Sequence, residues 1–208
     1  MAGSYDFEEQ ERIAELKGWW EDNRWYVIGA IVAAVLAFAG FRGWHWWSAK
    51  QADDAGAMYS ATMKLPKDQQ VASIDALVAK HPKSYFASDA QLVAAKARFE
   101  AQDLAGARTR LEWVMQNGVD EHRGIARMRL AAVLLEEKKY AEALKVLDDN
   151  KDEAFVALVA DLRGDIMLAQ GRMDEARAAY KTATEKAEPR NPVKQIAETK
   201  LNALGGAQ

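Results

Sequence analysis

The sequence predicts an all-α protein: a single N-terminal transmembrane helix, then an α-solenoid of about three helical hairpins with a C-terminal capping helix. Three observations carry this. Trp25 to Phe41 is an uncharged apolar run bracketed by Arg24 and Arg42. An alanine recurs at 107, 143 and 176, and four positions after each stands a large apolar residue, Leu111, Leu147 or Tyr180. The periodic region then breaks at Pro189, Asn191 and Pro192, and one more amphipathic segment follows.

The apolar run spans roughly 25 Å at the helical rise. That is the short end of what crosses a bilayer core of about 30 Å. Tryptophan makes up the difference: Trp19, Trp20 and Trp25 stand at one end and Trp44, Trp46 and Trp47 at the other, six of the seven in the chain. Indole rings favour the headgroup interface, so the two clusters read as two membrane-interface belts. A buried helix of a soluble core has no reason to collect tryptophan at both ends. A cleaved leader is the sharper rival, because Ala37-Phe38-Ala39 before Gly40 has the small-x-small form of a cleavage site. The preceding tail argues against it, being long and mainly acidic where a leader starts short and basic. Nothing else in the chain is long and apolar enough to span, which predicts a single-pass protein with one soluble part.

About 160 residues follow the span, enough for one domain with its own core. Half the chain is hydrophobic and 28% is charged, a globular composition. A net charge of −3 gives a nucleic-acid function no basic footprint. With no cysteine, structural disulfides, thiol chemistry and a lipid anchor on an acylated cysteine are excluded, and either side of a membrane fits.

In order, the chain divides into an N-terminal tail (1–24), the transmembrane helix (25–44), a helical stalk with the first helices (45–82) and the repeat domain (83–208). In the tail, Ile13, Leu16 and Trp20 recur at helical steps, so Gln10 to Trp20 suits a short amphipathic helix, weakened by Gly18. Its polar face is mainly acidic, unlike that of a helix lying on a membrane surface. It reads either as a solvated tail or as a docking segment for a membrane partner. Arg12, Lys17 and Arg24 on one side of the span against Arg42 and Lys50 on the other leave topology close to open. Trp46 to Leu65 lacks proline and continues the membrane helix as a stalk up to Pro66. Asp68 is placed to cap a second helix that reaches about Lys80, with Ile74, Leu77 and Val78 as its apolar stripe.

From Ser84 the chain repeats. Nine residues before Leu104, Tyr140 and Met173 lies a small residue each time: Ala95, Ala131 and Gly164. A period near 34 residues with small residues at these two places resembles the tetratricopeptide repeat. Small residues let the two helices of a hairpin approach, and the large residues fill the groove toward the next hairpin. Asp103, Lys139 and Arg172 fall in the tight turns. Gly171 suits the left-handed conformation that ends a helix, and the first two units carry Gln102 and Lys138 at that place. Val193 to Leu204, with Ile196, Ala197 and Leu201, reads as the closing helix that shields a solenoid's last apolar face. Gly205-Gly206 frees the end.

No active site emerges. His45, His81 and His122 lack the close spacing of metal motifs and read as exposed polar residues. Nucleotide and hydrolase fingerprints are missing, and the carboxylates fall on predicted solvent faces. No cofactor, metal ligand or catalytic residue is predicted. In repeat register Leu92, Lys96 and Phe99, then Met128, Ala132 and Leu135, then Asp161, Asp165 and Leu168 share one side. That is a mixed apolar and charged groove suited to a protein segment, though core packing is the commoner fate of such apolar residues. Asp161 and Asp165 alone read either as a solvated helix face or as part of that groove.

Gly40-Phe41-Arg42-Gly43-Trp44-His45-Trp46-Trp47, Arg129-Leu130-Ala131, Val159-Ala160-Asp161-Leu162-Arg163-Gly164-Asp165, Gly171 and Ala176-Arg177 together resemble the YfgM family of ancillary SecYEG translocon subunits. The resemblance covers nearly the whole chain. It implies a single-pass type II protein of the cell inner membrane with its repeats in the periplasm. It also implies association with the SecYEG translocon and the periplasmic chaperone PpiD, and contacts with emerging secretory proteins. It implies no catalytic residues. The opposite orientation would give a cytoplasmic-facing scaffold that binds a signalling regulator, and a membrane-bound hydrolase is a third reading.

Overall fold

Helix α1 runs Gly3–Met63 without a break in the computed structural model, which describes residues 3–205. The chain divides into two units, 1–52 and 53–208. In the first, Gly18 does not interrupt the helix; one interior glycine costs about 1 kcal/mol, too little against so long a cooperative run. The helix contains a stretch long and apolar enough to cross a membrane, with none of that stretch buried. Ile31, Val35, Leu36, Phe38 and Phe41 are all exposed, a surface that water would not tolerate and lipid would solvate.

In the second unit every regular element among the described residues is a helix. After the last turns of α1 come α2 (Lys67–Lys80), α3 (Tyr85–Glu100), α4 (Leu104–Asn117), α5 (Asp120–Glu136) and α6 (Tyr140–Asp148). A single 3-10 turn (Glu153–Phe155) leads into α7 (Val156–Ala169), α8 (Met173–Lys186) and α9 (Pro192–Ala203). The start of α2 corrects one expectation: Pro66 holds the N-cap position and Asp68 lies in the first turn, without a capping hydrogen bond from the side chain.

Helices α3/α4, α5/α6 and α7/α8 are the three hairpins. Ala107, Ala143, Ala176 and Tyr180 are wholly buried, as Leu111 and Leu147 nearly are. Their partners across each hairpin, Ala95, Ala131 and Gly164, are buried too. In the third the small position leaves no room even for a methyl: a Cβ added at Gly164 would stand 2.4 Å from Cε1 of Tyr180. Leu92, Leu111, Leu130, Val133, Leu134, Leu147 and Ile166 join α3 to α7 in one continuous core.

A further helix pair precedes these three. The end of α1 and α2 share a cluster with α3 built on Ala55, Ile74, Leu77, Ala90 and Ala94. Where the hairpins place two small residues, this pair has Thr62 and Ser73, whose hydroxyls are 2.6 Å apart. Leu77 follows Ser73 by four positions, as Leu111 follows Ala107. The spacing from Thr62 to Ser73 is one residue shorter than in the hairpins, although three residues connect the two helices in every case.

The three hairpin turns use one geometry. Gln102, Lys138 and Gly171 all take left-handed backbone, with φ of 61°, 59° and 75°. In each, the next residue's N–H reaches back five positions: Asp103 to Arg98 O, Lys139 to Leu134 O and Arg172 to Met167 O. That is the Schellman closure, which satisfies carbonyls the helix end leaves open. The turn therefore does not need glycine, but a Cβ there costs energy. Gln102→Gly and Lys138→Gly are each expected to raise the unfolding free energy by about 0.5–1 kcal/mol, and Gly171→Ala to lower it by about 1 kcal/mol. Urea midpoints of the three variants check this.

Candidate protein-binding surface

Of the nine residues that the repeat register placed on one side, Ala132 is half-buried and the other eight separate into three groups. Leu92 and Met128 are core residues, 3% and 6% exposed, with Phe99 and Leu135 packed against the same cluster. Leu168 packs with Met167, Ala176 and Tyr180. Lys96 is exposed and pairs with Glu100 at 3.7 Å, one turn on. Asp161 and Asp165 are on neither a solvated face nor an open groove. Lys200 of α9 reaches in and donates to both, at 2.8 Å each. Tyr180 donates its hydroxyl to the other oxygen of Asp165, also at 2.8 Å, and Lys200 lies 5.4 Å from the centre of its ring. One lysine and one tyrosine thus tie α7, α8 and α9 together.

This polar lock corrects the expectation that all the carboxylates face solvent, since Asp161 is 7% exposed. Burial raises the Asp161 carboxyl above its usual range, and the hydrogen bonds and charge of Lys200 only partly oppose that. Burial acts on Lys200 the other way, but the two carboxylates outweigh it and hold the ammonium's pKa above its ordinary value. Burial, then the bond to Asp165, raises Tyr180 strongly. The lock holds its protons more tightly folded than unfolded.

The end of α9 is tied a second time, where Arg177 Nε donates to Leu204 O at 2.8 Å. In the closing helix Ala197 is fully buried beside Ala160 and Ala183, whereas Ile196 is 49% exposed. The inward face reads Ala197, Lys200, Leu201. A lysine interrupting an apolar stripe, opposite two acids one turn apart, was the signal in the sequence for this lock.

Two histidines also depart from expectation. His45 is exposed, but His81 and His122 are buried, at 7% and 4%. His81 ends α2, its N–H bonded to Leu77 O and its carbonyl accepting from the Ser84 hydroxyl. His122 packs against Tyr85 with centroids 4.5 Å apart and the ring planes tilted by 45°, and its Nε2 lies 3.9 Å from Asp89 Oδ1. Tyr59 donates to the other oxygen of Asp89. Burial first, then that bond and charge, pushes the Tyr59 hydroxyl up to about 12. Among the described residues no group of three His, Asp or Glu side chains is placed to hold a metal.

A pH dependence follows. Tyr59, Tyr180 and Lys200 all have folded pKa values above their unfolded ones, so their stabilisation is complete below the unfolded values of about 10. Above about pH 10 the unfolded chain loses protons first, and stability falls as pH rises. Urea midpoints are expected to be flat in these groups to about pH 9 and to drop beyond, with a shallower drop in Tyr180→Phe.

Among the interface tryptophans, Trp19, Trp20, Trp25, Trp44, Trp46 and Trp47 are all exposed, between 44% and 72%. Trp44 and Trp47 lie 5.5 Å apart, and Arg24 and Lys50 stand over the rings of Trp25 and Trp46.

Stacked helical hairpins closed by a cap, with polar groups tied up in packing, define a repeat protein whose exposed helix faces suit contact with other chains. The family model of the tetratricopeptide repeat-like domain matches residues 17–206. The ancillary SecYEG translocon subunit of Haemophilus influenzae is 32% identical, over 97% of this chain and 100% of that protein. That of Neisseria gonorrhoeae is 30% identical over 95% and 97%, and that of Escherichia coli 26% over 94% and 96%. The chain belongs to the family of ancillary SecYEG translocon subunits.

Proposed function

We propose that this chain is a membrane-anchored repeat scaffold of the SecYEG translocon, mediating contacts between the translocon, periplasmic chaperones such as PpiD and emerging secretory proteins. The tail would occupy 1–24, the span 25–44, the stalk and first helices 45–82 and the repeats 83–208, with the repeats in the periplasm. The observation that carries the reading is near end-to-end similarity to proteins named ancillary SecYEG translocon subunits. The exposed apolar run with its two tryptophan clusters supports the anchor. An anchor confines the repeats to one membrane surface and raises their effective concentration around other membrane proteins, so each contact can be weak. The edges of α3, α5 and α7, with exposed Lys96 and the half-buried Phe99, Leu135 and Leu168, are the proposed contact surface.

Crosslinking in native membranes tests this. Photo-crosslinkers at Lys96 and at Trp44 are expected to recover translocon subunits. A well-expressed, membrane-inserted chain that recovers none would contradict the proposal.

A further inference from the structure

Helix α1 keeps an apolar stripe beyond the membrane segment. Ile13, Leu16 and Trp20 recur at steps of three and four, and Asn23 and Val27 carry the same steps into the span. These positions share one side of the helix. Ile13, Leu16, Trp19 and Trp20 are between 44% and 66% exposed, so none of the described residues covers them. Lipid does not reach the outer part of this stripe. The helix is unbroken from Gly3 to Met63, so the stripe continues along the axis of the span instead of turning into the membrane plane. At the helical rise, Leu16 and Ile13 stand about 14 and 18 Å beyond Trp25. The headgroup layer adds only about 5–7 Å to each side of the hydrocarbon core. A stripe that starts inside the bilayer and runs on past the headgroups suits a facing helix that leaves the same bilayer beside it.

The charges define the kind of helix. Exposed Arg12 and Lys17 lie along the two edges of the stripe, while Glu11, Glu15 and Asp22 occupy the opposite face. Glu9 ends the stripe one turn before Ile13, and Glu21 stands outside Lys17. In a parallel pair of identical helices Arg12 of one copy would meet Lys17 of the other, five positions on, and like charges at such edges repel. A second copy is therefore the wrong occupant, and a helix with acidic residues at those edges is the right one. Leu16, Trp19 and Trp20 outline a hollow of about 340 Å³ with Lys17 and Glu21 at its rim. A hole of that kind takes one large side chain of a facing helix.

We propose that residues 12–20 of α1 form a docking helix, on the membrane face opposite the repeats, for an acidic-edged helix that emerges from the bilayer beside it and belongs to the translocon. This deepens the scaffold reading and rests on it, by naming a surface through which the chain is held to SecYEG. The apolar stripe supplies the strength of the contact, and the basic edges supply its choice of partner.

The test reconstitutes the full-length chain with purified SecYEG of the same organism in liposomes and follows energy transfer between them. The sequence has no cysteine, so Asp53→Cys takes a single donor dye on the side of the repeats. Ile13→Gln with Leu16→Gln keeps good helix formers and is expected to weaken binding tenfold or more. Arg12→Glu with Lys17→Glu is expected to weaken it about tenfold in low salt and less in high salt. Glu11→Lys with Glu15→Lys, on the opposite face, should bind as the unaltered chain does. Alkaline extraction checks that every variant stays in the membrane. Unaltered affinity in both the glutamine and the charge-reversed variants would overturn this site and leave the scaffold reading standing. A Leu16→Cys thiol shielded from water-soluble maleimide in anionic liposomes without SecYEG would overturn it in favour of lipid. Disulfide-linked pairs of that variant there would overturn it in favour of a second copy. No energy transfer to SecYEG from the unaltered chain would overturn both the site and the association with the translocon.

Discussion

Gly164→Val is expected to lower the unfolding free energy of the repeat unit by about 3 kcal/mol. The reason is local and geometric. An added Cβ at this position would meet Cε1 and Cδ1 of Tyr180 at 2.4 and 2.5 Å, inside any real contact. The ring cannot move aside, because Tyr180 is wholly buried and its hydroxyl is held by Asp165. Gly164→Ala separates the opposing effects. Helix propensity alone would favour alanine by about 1 kcal/mol. The clash exceeds that, so the variant is expected to be destabilised by about 1 kcal/mol, within the usual range for overpacking. Tyr180→Leu in the Gly164→Val background should recover part of the loss, and a double-mutant cycle on urea unfolding measures the coupling. Additive effects would mean the two residues do not confine each other.

Lys200→Met is expected to release the cap, at a cost of about 2–3 kcal/mol. Removing one partner of a buried ion pair costs about 3–5 kcal/mol. Lys200 keeps 29% of its side chain in solvent, which places it below that range. The methionine leaves Asp161 and Asp165 facing each other with no cation between them, and Asp161 is already disfavoured as an anion by burial. Their repulsion should open α9 before the hairpins melt, exposing Ala160, Ala183 and Ala197. Hydrogen exchange localised to Pro192–Ala203 is the readout. Asp161→Asn with Asp165→Asn should restore protection in the Lys200→Met chain, since neutral amides need no counter-charge. Faster exchange across all helices at once would show a cap that is not a separate cooperative unit.

Elements defined by local pattern were legible in the sequence. The alanines at 107, 143 and 176 and the large residues four on marked the hairpins, because close helix approach demands small side chains at fixed spacing. Features that depend on departures from the pattern were harder to see. The pair formed by the end of α1 and α2 lacks alanine at its contact, using Thr62 and Ser73 at a spacing one shorter, and the stalk hides its start. Gln102 and Lys138 stand where the third unit has glycine, and they take the same left-handed turn. Repeat register placed Leu92 and Met128 on a surface, but it ignores what the next hairpin covers. The lock from Lys200 to Asp161 and Asp165 joins residues far apart in sequence, and periodicity carries no information about such a pairing.

We propose that the repeats stand tethered on the periplasmic side of the inner membrane. It is tested most directly by fusing a reporter after Gln208: alkaline phosphatase, which folds actively only in the periplasm, compared with a fluorescent protein that matures only in the cytoplasm. The phosphatase fusion is expected to be active, the fluorescent fusion dark, and both to stay with the membrane after alkaline extraction. A fluorescent fusion with an inactive phosphatase, or a chain released into solution by a cut after Ala39, would contradict it.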